Sequence, residues 1–245
     1  MTILTTEISL DPAPVVVFAA DRRLSRQGRR VSDRCKIFCF PSGRVGIGYF
    51  GLAEFRRVQH QWMDEWLRDF IARNSAPAAV GDLSTALVRD LNRDVPRAVR
   101  DREVSGFHLA GLRSGDDAPE FWSVSNLLAD GLTINPAGYG ANDDFQGRDA
   151  AKLPAGAIQI YRNGDLRVHV QTWEQMDQIF GNMLGVPGFG IGAGPQAHMR
   201  WVQFKMDTLV RFYEQFATVS IIGKPVDVFA ITRTGVIRPR GANLD

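Results

Sequence analysis

Thr2, Asp21 and Lys36 stand out as residues whose types and settings could do chemistry. Thr2 follows Met1 directly, and Thr is small enough for methionine aminopeptidase to remove the residue before it. A Thr hydroxyl is a weak nucleophile at neutral pH and needs a base beside it. A freed α-amine, with an ordinary pKa of about 7.7–8.0, is well suited to that task. The γ-methyl restricts χ1 and helps hold Oγ in one rotamer. A chain beginning at Thr2 would carry nucleophile and base in one residue, although a terminal Thr is by itself only a terminal residue. Lys36 stands between Cys35 and Ile37, where an ammonium is costly unless paired. The alternative is a surface lysine on an edge strand. Asp21 closes the apolar run Val15–Ala20 and needs either a charged partner or local turn hydrogen bonds.

Other chemistries find less support. Cys35 and Cys39 are spaced too widely for a CxxC zinc site. On one strand they would sit about 13 Å apart, too far for a disulfide, and two buried thiols in a reducing compartment are expected. The glycine-dense stretch Gly188–Gly194 lacks the Lys-Ser/Thr of a phosphate loop and the GxGxxG register. His60, His108, His169 and His198 are scattered, so neither a metal nor a cofactor is expected. A net charge of +2 with no basic tract argues against nucleic acid as a partner. Met1–Leu4 carries no basic or apolar leader, and no run approaches the ~20 apolar residues of a membrane span. A soluble cytoplasmic protein is the expectation.

The elements that must position these residues follow from periodicity. Residues 2–10 have strand composition, Asp11–Pro14 reads as a turn, and Val15–Asp21 reads as a strand covered on both faces. Cys35–Phe40 and Arg44–Phe50 read as two more strands. Over 52–73, apolar residues from Leu52 to Ile71 recur at three- and four-residue steps and predict one long amphipathic helix. A second helix is predicted over Asp82–Asn92, with Asp82 as its cap. Strands return at 106–113 and 120–126, and a hairpin around Asn163-Gly164 joins 158–162 to 166–171. A short helix near 173–183, a long one over 198–217 and a strand pair from Val226 to Ile237 complete the chain. Strands, helices and strands in blocks, rather than in βα alternation, call for helices on largely antiparallel sheets. No internal repeat or linker divides residues 1–245, so one domain is expected.

Four segments in this order resemble the proteasome β-subunit family and its simpler bacterial relatives, the N-terminal-nucleophile hydrolases. They are Val15–Arg23, Lys36-Ile37-Phe38, Gly48–Glu54 and Gly223–Gly235. The resemblance covers 2–126 in order and 199–237 in outline, while 127–197 diverges. It implies an α+β fold, a four-layer αββα sandwich of two largely antiparallel sheets. It also implies a nucleophilic Thr2 exposed by removal of what precedes it. Lys36 would approach the Thr2 hydroxyl with Asp21 as its partner, and the Gly51 backbone amide would face the oxyanion. Gly51 also reads as a plain strand-to-helix connector. Ser220 could supply the hydroxyl that orders the nucleophile. The family's Gly-Ser-Gly loop is resembled by Gly192-Ala193-Gly194, without its Ser, and no better by the alternative Gly138-Tyr139-Gly140.

The implied activity is threonine-type peptide or amide hydrolysis through an acyl-enzyme in a homo-oligomer, and a bulky Tyr49 near the pocket floor would favour small substrate side chains. The alternatives are a proteasome-fold scaffold or regulatory subunit without activity, and an amidase acting on small non-peptide amides.

Overall fold

The run Val15–Asp21 is apolar without alternation because both of its faces are covered. Val15, Val17 and Ala19 belong to one apolar cluster, and Val16, Phe18 and Ala20 belong to another. The same division by parity holds for Val228 and Ala230 against Phe229 and Ile231. Successive strand side chains point to opposite faces, so this pattern marks a sheet buried on both sides.

The computed structural model describes residues 3–26, 29–56, 60–75, 79–154, 156–164, 168, 172–184, 186–188, 190–219 and 221–239. In chain order the strands are β1 (Ile3–Ser9), β2 (Val15–Asp21), β3 (Arg23–Arg26), β4 (Arg29–Asp33), β5 (Ile37–Cys39), β6 (Val45–Gly51), β7 (Glu54–Arg56) and β8 (His60–Trp62). Then come α1 (Met63–Arg73), α2 (Val80–Asp94), α3 (Arg97–Arg100), β9 (Ser105–Leu112), β10 (Pro119–Ser125), β11 (Gly140–Phe145) and α4 (Gly147–Ala150). The chain continues through β12 (Ile158–Gly164), α5 (Glu174–Leu184), α6 (Pro195–Phe216), β13 (Val226–Thr232) and β14 (Gly235–Ile237). The fold is mixed α+β. One five-stranded sheet has the order β12-β1-β2-β13-β14 and another the order β11-β10-β9-β6-β5, with every pairing antiparallel.

Three apolar clusters account for the core. Ile47, Tyr49, Phe107, Leu109 and Val124 of β6, β9 and β10 pack with Trp66, Phe70, Leu83 and Leu87 of α1 and α2. Ile3, Val17 and Val228 of the other sheet pack with Met199, Val202, Met206 and Leu209 of α6. The third joins the two sheets, bringing Leu4, Phe18 and Phe229 together with Ile37, Ala110 and Phe121. Gly46 and Gly48 of β6 allow the close approach. A Cβ at Gly46 would lie 2.7 Å from the Phe18 ring, and one at Gly48 would lie 2.7 Å from Leu4 Cδ1.

Several expectations are corrected. The helix expected over 52–73 begins only at Met63, because β7 and β8 form a small antiparallel ribbon first. Leu52 and Phe55 are nonetheless buried in the same cluster as Trp66 and Phe70, so the periodicity reported burial and not helix. The polar stretch before Cys35 forms the ribbon β3–β4, and β5 is shorter than the strand expected over Cys35–Phe40. The second helix runs Val80–Asp94 with Ala79 at its N-cap, and Asp82 sits in its first turn, where the helix dipole favours a carboxylate. The segment before the long helix supplies Gly194 as its N-cap at φ 89°, with Pro195 at the first helical position. The second arm of the hairpin expected after Gly164 falls largely outside the described residues. Among the described residues, no helix is long and apolar enough to cross a membrane.

Candidate active site

Asp21 ends β2, the central strand of its sheet, and Lys36 precedes the edge strand β5 of the other sheet. Their side chains meet: Lys36 Nζ donates to Asp21 Oδ1 at 2.9 Å, and neither side chain is exposed at all. The edge-strand surface lysine is thereby excluded. The Asp21 carboxylate is further held by two backbone amides. Ile3 N–H donates to Oδ1 at 2.9 Å, and Gly223 N–H donates to Oδ2 at 3.3 Å. Lys36 Nζ also donates to the Arg23 carbonyl at 2.8 Å. Burial pulls the Lys36 ammonium below the usual lysine range, and the Asp21 charge opposes that pull.

A second ion pair stands behind the first. Arg22 Nε donates to Asp227 Oδ2 at 2.6 Å, which ties the end of β2 to β13. Burial pushes the Asp227 carboxyl above its ordinary range, and Arg22 partly restores it. Cys35 lies beside this pair, its thiol donating to the Ile37 carbonyl at 3.1 Å. Burial raises the Cys35 thiol to about 11, so it remains protonated and is a poor nucleophile. Cys35 and Cys39 are both free thiols, as expected, but only Cys35 is buried, and Cys39 is partly exposed.

Gly51 ends β6 at φ 81° and pairs with Ser105 of β9. A Cβ there would overlap the Val104 carbonyl oxygen, so only glycine fits. The junction differs from the one expected, since Gly51 leads into the β7–β8 ribbon and not directly into a helix. Gly51 lines a cavity of about 700 Å³ together with Leu24, Leu52, Ala53, Trp62 and Val99, and with Glu54 and Arg102 among its charged groups. The Lys36–Asp21 pair does not line this cavity. It adjoins it through chain neighbours, because Lys36 holds the Arg23 carbonyl beside Leu24. The Lys36 carbonyl also accepts from the amide of Tyr49, two residues before Gly51. Tyr49 is buried against α1 and α2 and is not part of the cavity wall. Its hydroxyl has no hydrogen-bond partner among the described residues.

Of the expected site residues, Asp21 and Lys36 are brought together and Gly51 is placed at the cavity. Thr2 and Ser220 lie outside the described residues. Three contributors went unread in the sequence: the Ile3 amide, the Arg23 carbonyl and the Gly223 amide. Each acts through its backbone, so residue type carries no signal, apart from the glycine at 223. There a Cβ would overlap the Arg23 guanidinium.

One further constellation imitates a catalytic relay. Thr6 Oγ1 lies 2.9 Å from His108 Nδ1, and His108 Nε2 lies 2.6 Å from Asn163 Oδ1. The Asn163 oxygen accepts, so Nε2 carries the proton and Nδ1 accepts from the Thr6 hydroxyl. Thr6 and His108 are both fully buried, and Phe50 and Phe121 pack edge-on to the imidazole. No substrate can reach this hydroxyl. The arrangement ties β1 and β12 of one sheet to β9 of the other.

No protein-family model matches this sequence, and no curated protein matches it.

Proposed function

We propose that this chain is a proteasome-type N-terminal-nucleophile hydrolase, built as a four-layer αββα sandwich, that cleaves amide bonds through an acyl-enzyme on Thr2. The observation that carries this reading is the Asp21 oxygen shared by Lys36 Nζ and the Ile3 amide, each at 2.9 Å. It sets a buried lysine–carboxylate pair at the start of β1, one residue after Thr2 in the sequence. A lysine ammonium has three donors, and Lys36 uses two of them among the described residues. The Thr2 hydroxyl would take the third.

In this mechanism Met1 is removed and the Thr2 α-amine accepts the proton of Oγ. Oγ attacks the substrate carbonyl carbon. Lys36 stabilises the forming alkoxide, and Asp21 keeps Lys36 protonated despite its burial. The Gly51 amide is the proposed donor to the oxyanion, and Ser220 the proposed hydroxyl that orders the amine. Collapse breaks the C–N bond, the amine leaves with the proton held by the α-amine, and water then hydrolyses the Thr2 ester. The apolar wall of Leu24, Leu52, Trp62 and Val99 favours a peptide or amide with an apolar acyl side chain. No cofactor takes part. The working protein is a cytoplasmic homo-oligomer.

The test is treatment with an epoxyketone or β-lactone probe, followed by intact-mass and peptide mass spectrometry. The expected result is loss of Met1 and a single adduct on Thr2, absent in Thr2→Ala. Retained Met1 with no adduct would leave the inactive scaffold as the reading. An adduct on any other residue would move the nucleophile. Cleavage of small amides without cleavage of peptides would narrow the activity to an amidase.

A further inference from the structure

The long helix α6 buries one side and leaves aromatic rings on the other. Phe204 and Phe212 are each about half exposed, at 49% and 51%. They lie four residues either side of Thr208 and form one ridge with it along the helix. Trp201 stacks on Phe204 at 5.8 Å, and Phe180 of α5 meets it at 5.4 Å. Phe216, 70% exposed, packs on Phe212 at 5.4 Å and extends the patch. Ile179 and Met183 of α5 are also exposed nearby in the chain. Exposed apolar surface gathered on one element marks an interaction site.

The charges on this face say what covers it. Arg200, Asp207, Arg211 and Glu214 fall on one flank of the ridge, reading plus, minus, plus, minus. Among the described residues, Arg200, Asp207 and Arg211 make no ion pair, while Glu214 holds Arg23 at 2.8 Å. A twofold axis through Thr208, perpendicular to the helix, lays a second α6 antiparallel on the first. Residues equally far from Thr208 in opposite directions then come level, and each flank meets the same flank of its copy. Phe204 meets the partner's Phe212. Arg200 comes within two residues of level with the partner's Glu214, and Asp207 does so with the partner's Arg211. Two residues are about 3 Å along a helix, within the reach of these side chains. The charges on the flank thus alternate across the contact except at the axis, where the two Asp207 carboxylates come side by side with an Arg211 guanidinium beyond each, and the small Thr208 at the crossing allows close approach.

We infer that α6 is an isologous docking surface for a second copy of this chain, packed antiparallel about a twofold axis at Thr208. The inference rests on the chemistry of this face and is independent of the role of Thr2.

Sedimentation or light scattering of the full chain, with single-cysteine cross-linking, tests it. The wild type is expected to be a dimer or a multiple of one. Asp207→Arg alone and Arg211→Asp alone should each weaken association about tenfold or more, and the double reversal should recover it. Phe212→Glu should give a monomer of unchanged thermal stability. Thr208→Cys should cross-link to itself under mild oxidation. Phe204→Cys should not link to itself but should link to Phe212→Cys in a mixture. A monomeric wild type overturns the inference. So does an oligomer indifferent to these changes, or a Phe204→Cys that links to itself as fast as Thr208→Cys.

Discussion

Lys36 Nζ lies 2.9 Å from Asp21 Oδ1, with neither side chain open to solvent, although Asp21 ends a strand of one sheet and Lys36 precedes the edge strand of the other. The pair is therefore both a structural tie and the centre of the proposed chemistry. These two roles separate under substitution. Lys36→Ala leaves a buried carboxylate with only its two backbone amides. It should cost about 3–5 kcal/mol, as removal of one partner from a buried pair does. Lys36→Met, which keeps the volume, should cost less and yet abolish probe labelling at Thr2. Urea unfolding and mass spectrometry on the same samples check both halves.

Gly51 is expected to tolerate nothing larger. Its φ of 81° and the carbonyl of Val104 against it leave no room for a methyl group. Gly51→Ala should destabilise the protein by about 1–3 kcal/mol or more through backbone strain alone. Thermal unfolding measures the loss, and reduced probe labelling beyond the unfolded fraction would report displacement of its amide.

Thr6 gives the opposite pattern. Thr6→Val removes the hydroxyl that bonds His108 and should cost roughly 1–3 kcal/mol, because it leaves a buried imidazole nitrogen without a donor. Labelling of the folded protein at Thr2 should be unchanged. Loss of labelling without loss of stability would instead assign Thr6 a chemical role.

Acid stability should depend on Glu7, which is fully buried between His198 Nε2 and Lys205 Nζ, each at 2.9 Å. Burial alone would raise its carboxyl, but the hydrogen bond from His198 and the charge of Lys205 outweigh it and hold it below the ordinary 4.5. Between the folded and unfolded values the unfolded chain binds the extra proton, so stability rises with pH in that window. The contribution is fully present above about 4.5 and is lost as the pH falls through the lowered folded value. Glu7→Gln should lower stability at neutral pH and flatten this acid limb. Chemical denaturation across pH 3–7 measures both effects, and an unchanged acid limb would show that other carboxylates set it.

Much of the frame was legible because both of its sheet faces are covered. The apolar run Val15–Ala20, the β1–β2 hairpin and the apolar stripe of α6 all follow from burial and appear at nearly the expected bounds. The start of α1 was not legible, since Leu52 and Phe55 keep helical spacing while lying outside any helix. Asp21 and Lys36 could be paired only through resemblance, because 15 residues and an intervening ribbon separate them. The Thr6–His108–Asn163 contact depends on the register of three strands, and no local pattern encodes it. The backbone donors to Asp21 are similarly invisible to residue type.

Gly46 and Gly48 share β6 with Tyr49 and Gly51. By omitting two side chains, the strand sets the gap between the sheets on one side while it carries cavity-forming backbone at its end. An alanine at either glycine would meet Phe18 or Leu4 and act as a wedge, prising β6 away from β1 and β2. Drift at these positions would then register as misalignment of Gly51 against the Asp21–Lys36 pair, without any residue of the reaction itself being altered.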